Sequence, residues 1–254
     1  MKNFVHFLRH EIRTLLFSPS TYVAGVIFLV LMGLVYWAIL KAFTLTPQDD
    51  NPATQFFRVF WIPVFFVVPL LTMRTIAEER KLGTLQTVLT TPTSPVVVVL
   101  AKFLAAYGFY LLLWACTLAF PVLTVELTGT DQARRILFDP ASLLGGFVFV
   151  ALSGTLFVSL GIFCSSLTRS QLVAGMLCFT GLFLLIAGSR LLLEFPLPES
   201  GFLGSLAAPV EYLQAFEHLL DFSAGILDSR PFVYYLSGSV LFLALSTILV
   251  ERKA

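Results

Sequence analysis

The side chains best suited to chemistry stand together in one charged segment between two long apolar runs, Ala77-Glu78-Glu79-Arg80-Lys81-Leu82-Gly83-Thr84-Leu85-Gln86. Two carboxylates followed by two cations suit ion pairs and charge-assisted hydrogen bonds with another protein. Glu78 and Glu79 would meet basic or dipolar groups of a soluble partner, and the alkyl stems of Arg80 and Lys81 would reach lipid headgroups. The simpler alternative is a solvated loop whose bases follow the positive-inside rule.

A nucleophilic site is a weaker possibility. Ser153-Gly154 would suit a nucleophile, but a serine needs an adjacent base. None of the three histidines lies inside an apolar segment; they are His6, His10 and His218. The chain also has no G-x-x-x-x-G-K-[ST] loop, so it carries no phosphate-binding motif of its own.

A metal site is weaker still. Four residues of metal-ligand type occur in one stretch, Glu211, Glu217, His218 and Asp221. Their spacing does not place all four on one tight face of a helix. Solvated acids on an outer helix are the preferred interpretation, and no metal is expected.

The composition identifies the solvent around these side chains. Hydrophobic residues make up 57% of the 254 residues, charged residues 12%, and the mean hydropathy is +0.90. Soluble proteins contain about 45–50% apolar and about 25% charged residues, so a soluble domain could not bury this much apolar surface. The chain is therefore predicted to be a polytopic membrane protein, with a single transmembrane domain over residues 1–254.

Six segments are long enough to cross the hydrocarbon core, which takes about 20 mostly apolar residues in a helix. Each must be helical because a helix satisfies its own backbone polar groups in lipid, and the alternation of barrel strands is absent. The sequence thus predicts an all-α integral membrane protein. Its crossings lie at approximately Tyr22–Phe43, Phe56–Met73, Val99–Val125, Leu143–Cys164, Leu172–Leu192 and Phe232–Val250.

Charges and prolines refine these crossings. Ten of the sixteen Lys and Arg residues fall on one side if the crossings alternate, which predicts cytoplasmic termini. Lys102 is expected to extend to the inner surface from the third crossing. Pro63 and Pro69 predict a kink in the second.

Residues 1–21 predict a retained interfacial helix, because apolar residues recur there at helical spacing. Ser18-Pro19-Ser20 would then turn the chain into the membrane. The helix would serve either as a passive anchor of the first crossing or as a mechanical elbow, and the sequence leaves both open. Its apolar positions are Phe4, Phe7, Leu8, Ile12, Leu15 and Leu16.

Two stripes of small residues predict helix-packing faces, because close backbone approach drives helix association in lipid. The fourth crossing carries one stripe at Ala151, Thr155 and Ser159. The fifth carries another at Ala174, Cys178, Gly181 and Gly188. Packing within the chain is the simpler interpretation, and a subunit interface is the alternative.

The outer stretch 194–230 is broken by prolines and glycines yet is too apolar for a free loop. Broken helices at membrane depth are tolerated where they face protein or a cavity. This stretch is therefore predicted to form short extracytoplasmic or re-entrant helices that cap the bundle.

The residue order between Met73 and Leu104 resembles the signature of ABC-type-2 transporter permeases. The pattern consists of Met73-Arg74, the segment 77–86, Leu89-Thr90-Thr91-Pro92-Thr93-Ser94 and Leu100-Ala101-Lys102-Phe103-Leu104. It is most similar to the gliding-motility (GldF-like) and nitrous-oxide-reductase-maturation (NosY-like) branch. The six-helix layout extends the resemblance to the whole chain, whereas the specific motif is local.

The resemblance implies that 74–95 is a cytoplasmic coupling region whose helix docks in a groove of a separate ATP-binding subunit. Gly83 would let the chain turn, Leu85 would pack the hairpin on the bundle, and Arg169 would lie in a second, weaker contact. Gln86 departs from the family, which often has an acid there. The implied docking residues are Ala77, Glu78, Glu79, Arg80, Gly83, Thr84, Leu85 and Arg169.

The resemblance also implies partners and a location. Two ATPase subunits would hold ATP and Mg, while this chain holds no cofactor. A second permease copy or paralogue would complete the pathway in the bacterial inner membrane, with a possible periplasmic or membrane auxiliary protein and no nucleic acid. The implied function is export or force transmission driven by ATP. The alternatives are a non-transporting anchor or assembly protein and, less favoured, an intramembrane enzyme.

Overall fold

The computed structural model describes residues 2–45, 51–85, 94–129, 139–188, 191, 214–226 and 228–252. Over these residues the chain forms helices and short connections, with no strand. The helices are α1 (Lys2–Phe17), α2 (Pro19–Leu45), α3 (Pro52–Arg58), α4 (Trp61–Thr72), α5 (Ala77–Leu82), α6 (Pro95–Thr117), α7 (Ala119–Thr128), α8 (Pro140–Leu167), α9 (Gln171–Phe183, continued by a π-helical turn Leu184–Gly188), α10 (Ala215–Ser223) and α11 (Ser229–Arg252).

Six helical stretches of the described chain are long and apolar enough to cross a membrane. The prediction of an all-α integral membrane protein is therefore confirmed. The stretches are Pro19–Leu45, Trp61–Leu82, Pro95–Thr128, Pro140–Leu167, Gln171–Gly188 and Ser229–Arg252. Each overlaps one predicted crossing, although the second begins at Trp61 rather than Phe56.

Prolines explain where two crossings are interrupted. A proline within a helix cannot donate to the carbonyl four residues earlier, and its ring clashes with that carbonyl. Pro63 accordingly follows a break between α3 and α4, and Pro121 follows a break at Leu118 between α6 and α7. Pro69 remains inside α4, which continues through it. In place of the kink expected near Pro63, the helix is interrupted at residues 59–60, between α3 and α4.

The most buried crossing is α8, and its glycines face four of its neighbours, α3, α4, α6 and α10. A Cβ at Gly146 would overlap the ring of Phe57, and one at Gly154 would overlap the ring of Tyr110. Gly161 meets Thr72 in the same way. These glycines let large side chains of other helices lie directly on the α8 backbone, the close approach that stabilises helix pairs in lipid.

Aromatic rings fill the centre of the bundle. Phe28 and Trp114 have ring centroids 5.3 Å apart, and Phe60 and Phe149 have centroids 5.0 Å apart, both edge to face. Tyr235 of α11 packs on Phe149 at 6.2 Å. Such pairs contribute about 0.5–1.5 kcal/mol beyond the area they bury. The interior of a single chain is therefore packed with side chains.

The bundle has two ends, which we call the basal and distal faces. The basal face carries α1, α5, the turn 168–170 after α8 and the C-terminal turn of α11. The distal face carries α3, α10 and the start of α8. There Asp139 accepts hydrogen bonds from the backbone N–H of Ala141 and the hydroxyl of Ser142. The hydrogen bond from the Ser142 hydroxyl and the capping bond from the backbone N–H of Ala141 hold the pKa of Asp139 below its usual range.

The predicted outer region 194–230 is described only in part, because residues 192–213 and 227 lie outside the described chain. Within it, α10 buries Leu219 and Phe222 against the bundle. The hydroxyl of Ser142 donates to the carbonyl of Ser223, which joins α10 to the start of α8. The region ends earlier than predicted, since α11 already begins at Ser229.

Candidate functional site

The charged segment identified from the sequence forms α5 at the basal face, shortly after α4 and at the end of the second apolar stretch. Its first turn is held by Ser165 of α8, which is fully buried. The Ser165 hydroxyl oxygen accepts from the backbone N–H groups of Ile76 and Ala77, at 3.1 and 3.0 Å. This side chain thus satisfies donors that a helix start leaves free. Ser165 lies in the last turn of α8.

Arg80 faces the bundle rather than the lipid headgroups, so that part of the interpretation was wrong. It is 9% exposed. Its guanidinium donates to the backbone carbonyl of Ser166 and, at 3.5 Å, to that of Leu249. Both carbonyls belong to final helical turns, where backbone oxygens lack helical partners and carry partial negative charge. The cation is drawn inward by two helix C-termini.

Glu79 also faces inward. Its Oε1 lies 2.6 Å from Nζ of Lys102, and the same ammonium lies 2.8 Å from Oε1 of Glu11 in α1. Lys102 is 1% exposed, and its ammonium reaches α1 and α5 at the basal face. It remains buried because it reaches two carboxylates from other helices.

One side of the segment is presented outward. Lys81, Leu82, Gly83 and Thr84 are exposed, and Glu78 is half-buried. Glu78 lines a groove of about 280 Å³ that also contains Arg74 and the Glu79–Lys102 pair. This groove carries charges of both signs.

Arg169 lies beside α5. Arg169 and Lys81 line one open groove with Met73, the turn 168–170 and the first two residues of α9. The described lining of this groove contains two cations and no carboxylate. The basal face therefore presents a basic groove next to the mixed groove of Glu78.

The turn after α5 is made by Gly83, whose φ of 74° lies in the left-handed region. The chain then returns to the bundle, where Leu85 is 2% exposed. Leu85 packs in a small cluster with Ile76, Val99, Ile162 and Val250. Gln86 and the quoted residues 89–93 lie outside the described chain.

The three predicted packing residues of α8 make different kinds of contact. The carbonyl of Ala151 accepts a hydrogen bond from the hydroxyl of Tyr107, at 2.8 Å. The hydroxyls of Thr155 and Ser159 donate to carbonyls of their own helix. The closest contacts of α8 with other helices involve its glycines, which the sequence stripe did not include. A glycine every seven or eight residues from Gly146 to Gly161 was the available signal.

The predicted packing residues of α9 also differ in what surrounds them. Ala174 and Cys178 are buried. A Cβ at Gly181 would lie 3.1 Å from Leu160, so this glycine faces α8. Around Gly188 the nearest atoms belong to its own helix, at Phe183 and Leu184.

Other candidate chemistries find little support in the described residues. The hydroxyl of Ser153 is buried and donates to the carbonyl of Val150 in its own helix. His218 contacts the hydroxyl of Tyr235 at 3.3 Å. Among the residues that the structure describes, no group of three His, Cys, Asp or Glu is placed to hold a metal ion. Glu211 lies outside them.

The six crossings and the charged helix docked at one end define a multi-pass membrane subunit. The chain matches the family described as ABC-2 family transporter protein over residues 40–250. It therefore belongs to the ABC-2 transporter family. No curated protein matches the chain. Members of this family are membrane subunits without a nucleotide-binding domain, which implies partnership with an ABC ATPase.

Proposed function

We propose that this chain is the permease subunit of an ABC transporter and that α5 is its coupling helix. The ATPase subunit would contact Glu78, Lys81 and Thr84 on α5 and Arg169 on the adjacent turn. These groups all lie on the basal face. Under this proposal the basal face and both termini are cytoplasmic, in a bacterial inner membrane.

One observation carries the proposal: α5 is exposed on one side and fixed on the other. Glu79 and Arg80 bind the bundle through charged contacts, and Ile76 and Leu85 bind it through apolar packing. A helix held in this way moves with the crossings instead of bending away from them. Force applied to its outer side would therefore reach the membrane helices.

The energy would come from two copies of the partner, with ATP and Mg bound there. ATP-driven closure of the two ATPases would shift the coupling helices and rock the permease bundles between two packings, a rigid-body transition. Because aromatic rings fill the centre of one chain, a pathway would form between two permease copies or paralogues. The result would be export of a cargo or transmission of force to periplasmic or membrane partners. The motif at 73–104 favours the gliding-motility or nitrous-oxide-reductase-maturation branch.

The test is co-expression with an ABC ATPase from the same genome, followed by purification in detergent. We expect Glu78→Arg to reduce complex formation and ATP turnover of the complex by at least tenfold, because it reverses a charge on the outer side of α5. Reversing Glu79 as well would confound the result, since Glu79 holds the buried Lys102. Glu78 alone is therefore the cleaner variant.

Glu251→Arg is the matched control. It makes the same charge change at an exposed position of the last turn of α11, on the same face but outside α5. This variant should assemble and turn over ATP like the native chain. Equal assembly by the native chain and both variants would exclude α5 as the coupling helix. A native chain that binds no ATPase would instead favour the anchor or assembly function.

A further inference from the structure

We propose that Lys102 is a positioning residue that transmits movement of α5 to α1, so that α1 is a driven part of the coupling machinery rather than a passive anchor. The inference rests on the proposed function, because α5 must move for anything to be transmitted. It assigns a role to a buried cation in the third crossing and to a carboxylate of the N-terminal helix.

Three helices meet at a single ammonium group. Lys102 comes from α6, Glu79 from α5 and Glu11 from α1, with Nζ to Oε1 distances of 2.6 Å to Glu79 and 2.8 Å to Glu11. The exposed fraction of the side chain is 1% for Lys102, 10% for Glu11 and 27% for Glu79. Charge-assisted hydrogen bonds of this length are strong and have a defined geometry. Displacement of α5 therefore displaces the ammonium that α1 also holds.

The charge balance explains why the link needs this lysine. Glu11 and Glu79 are two negative groups that share one positive group. Without the ammonium between them, the two carboxylates would repel each other. Lys102 thus converts a repulsion between α1 and α5 into a shared attachment.

Stability alone is a poor explanation of this cluster. Moving charged groups out of water costs several kcal/mol per ion, and apolar residues of similar volume often stabilise a protein equally well. Ionisable groups within the crossings of membrane proteins are generally functional for the same reason. Charge-assisted hydrogen bonds suit a contact that must transmit movement in a defined direction. Apolar packing would be enough to hold a passive anchor in place.

Glu79 and its neighbour Arg80 connect α5 to different parts of the bundle. Arg80 reaches the final turns of α8 and α11, whereas Glu79 reaches α6 and α1. From α1 the path continues to the first crossing, because only Ser18 separates α1 from α2. The guanidinium of Arg74 also donates to the hydroxyl of Ser20 at the start of α2, at 3.1 Å. Movement of α5 would therefore reach the membrane helices by two separate routes, one through Arg80 and the other through Glu79, Lys102 and α1.

The test is hydrogen–deuterium exchange of the complex with its ATPase, with and without ATP, Mg and vanadate. In the native complex we expect nucleotide to change backbone exchange in both 77–85 and 2–17. In Glu11→Gln the change in 77–85 should persist, while the change in 2–17 should fall at least threefold. This variant leaves the Lys102–Glu79 pair intact and removes only the negative charge of Glu11.

Two further variants complete the design. Lys102→Met should uncouple 2–17 in the same way, and Glu11→Gln carries the test alone if Lys102→Met does not fold. Glu251→Gln, the same change at an exposed position of α11, should respond like the native chain. A native-sized response of 2–17 in Glu11→Gln would overturn the inference and leave α1 as an anchor. Absence of any nucleotide response in 77–85 of the native complex would instead contradict the proposed function.

Discussion

Small residues decide how closely the helices approach α8. Gly145 lies against the backbone of Phe222 in α10, so even a methyl group would overlap a carbonyl oxygen there. Gly154 and Gly161 face side chains, which can rotate, whereas a backbone cannot. Gly145 is thus the position where an added atom is hardest to accommodate.

We expect Gly145→Ala to lower the free energy of unfolding by about 1–3 kcal/mol, the usual cost of overpacking. The measurement is the midpoint of thermal unfolding of the purified chain in detergent. Gly108→Ala in α6 is the control, since nothing lies within 4 Å of a Cβ at that position. Its midpoint should stay the same or rise, because alanine favours a helix over glycine by about 1 kcal/mol. Equal losses in both variants would contradict this account of α8.

Charged residues show what a local pattern leaves open. The types and order of Glu79, Arg80 and Lys102 indicated polar contacts, but they did not indicate which distant residues of the same chain these side chains contact. The actual partners of Lys102 include Glu11, 91 residues away in the chain. Arg80 binds Leu249 at a separation of 169 residues. A single sequence contains no local signal for such pairs.

At the scale of elements, prolines and glycines determine where helices stop and turn. The breaks before Pro63 and Pro121 follow from local backbone chemistry. Gly83 is a stronger case, because its φ of 74° is strained for any residue with a Cβ. Within the described part of the chain, no atom beyond the adjacent residues lies within 4 Å of a Cβ there, so a substitution tests the backbone conformation.

We expect Gly83→Ala to weaken binding of the ATPase about fivefold or more, since the left-handed conformation costs a Cβ residue roughly 1–2 kcal/mol. The strain would favour other conformations of the turn that presents α5. Gly83→Asn should retain more affinity, because asparagine adopts this conformation more readily. Binding is measured by titration of the purified ATPase into the permease. Equal affinities for the native chain and both variants would show that the turn does not position α5.

At the scale of the whole molecule, the basal face gathers the elements proposed to meet the ATPase, and this arrangement predicts a topology. Lys81→Cys and Arg169→Cys lie on the basal face, while Asp228→Cys lies on the distal side of α11. Each would be made with Cys116→Ala, because Cys116 is the exposed native cysteine among the described residues.

In intact spheroplasts we expect a membrane-impermeant maleimide to label the Asp228→Cys protein and not the other two. Permeabilised cells should label all three, which controls for the reactivity of each position. The physical reason is the excess of Lys and Arg at the basal end. Labelling of Lys81→Cys and Arg169→Cys in intact cells, with protection of Asp228→Cys, would show the opposite orientation.

The sequence by itself determined the class of protein, because membrane helices follow from composition and from runs of about 20 apolar residues. It also located the charged segment 77–86, whose residue order is local information. The tertiary structure alone decided which of those charges point inward. Helix rotation and packing bring Glu11, Glu79 and Lys102 to one point, and they bring Arg80 to the ends of α8 and α11. These contacts depend on how distant helices meet, and a pattern read along one chain does not encode that geometry.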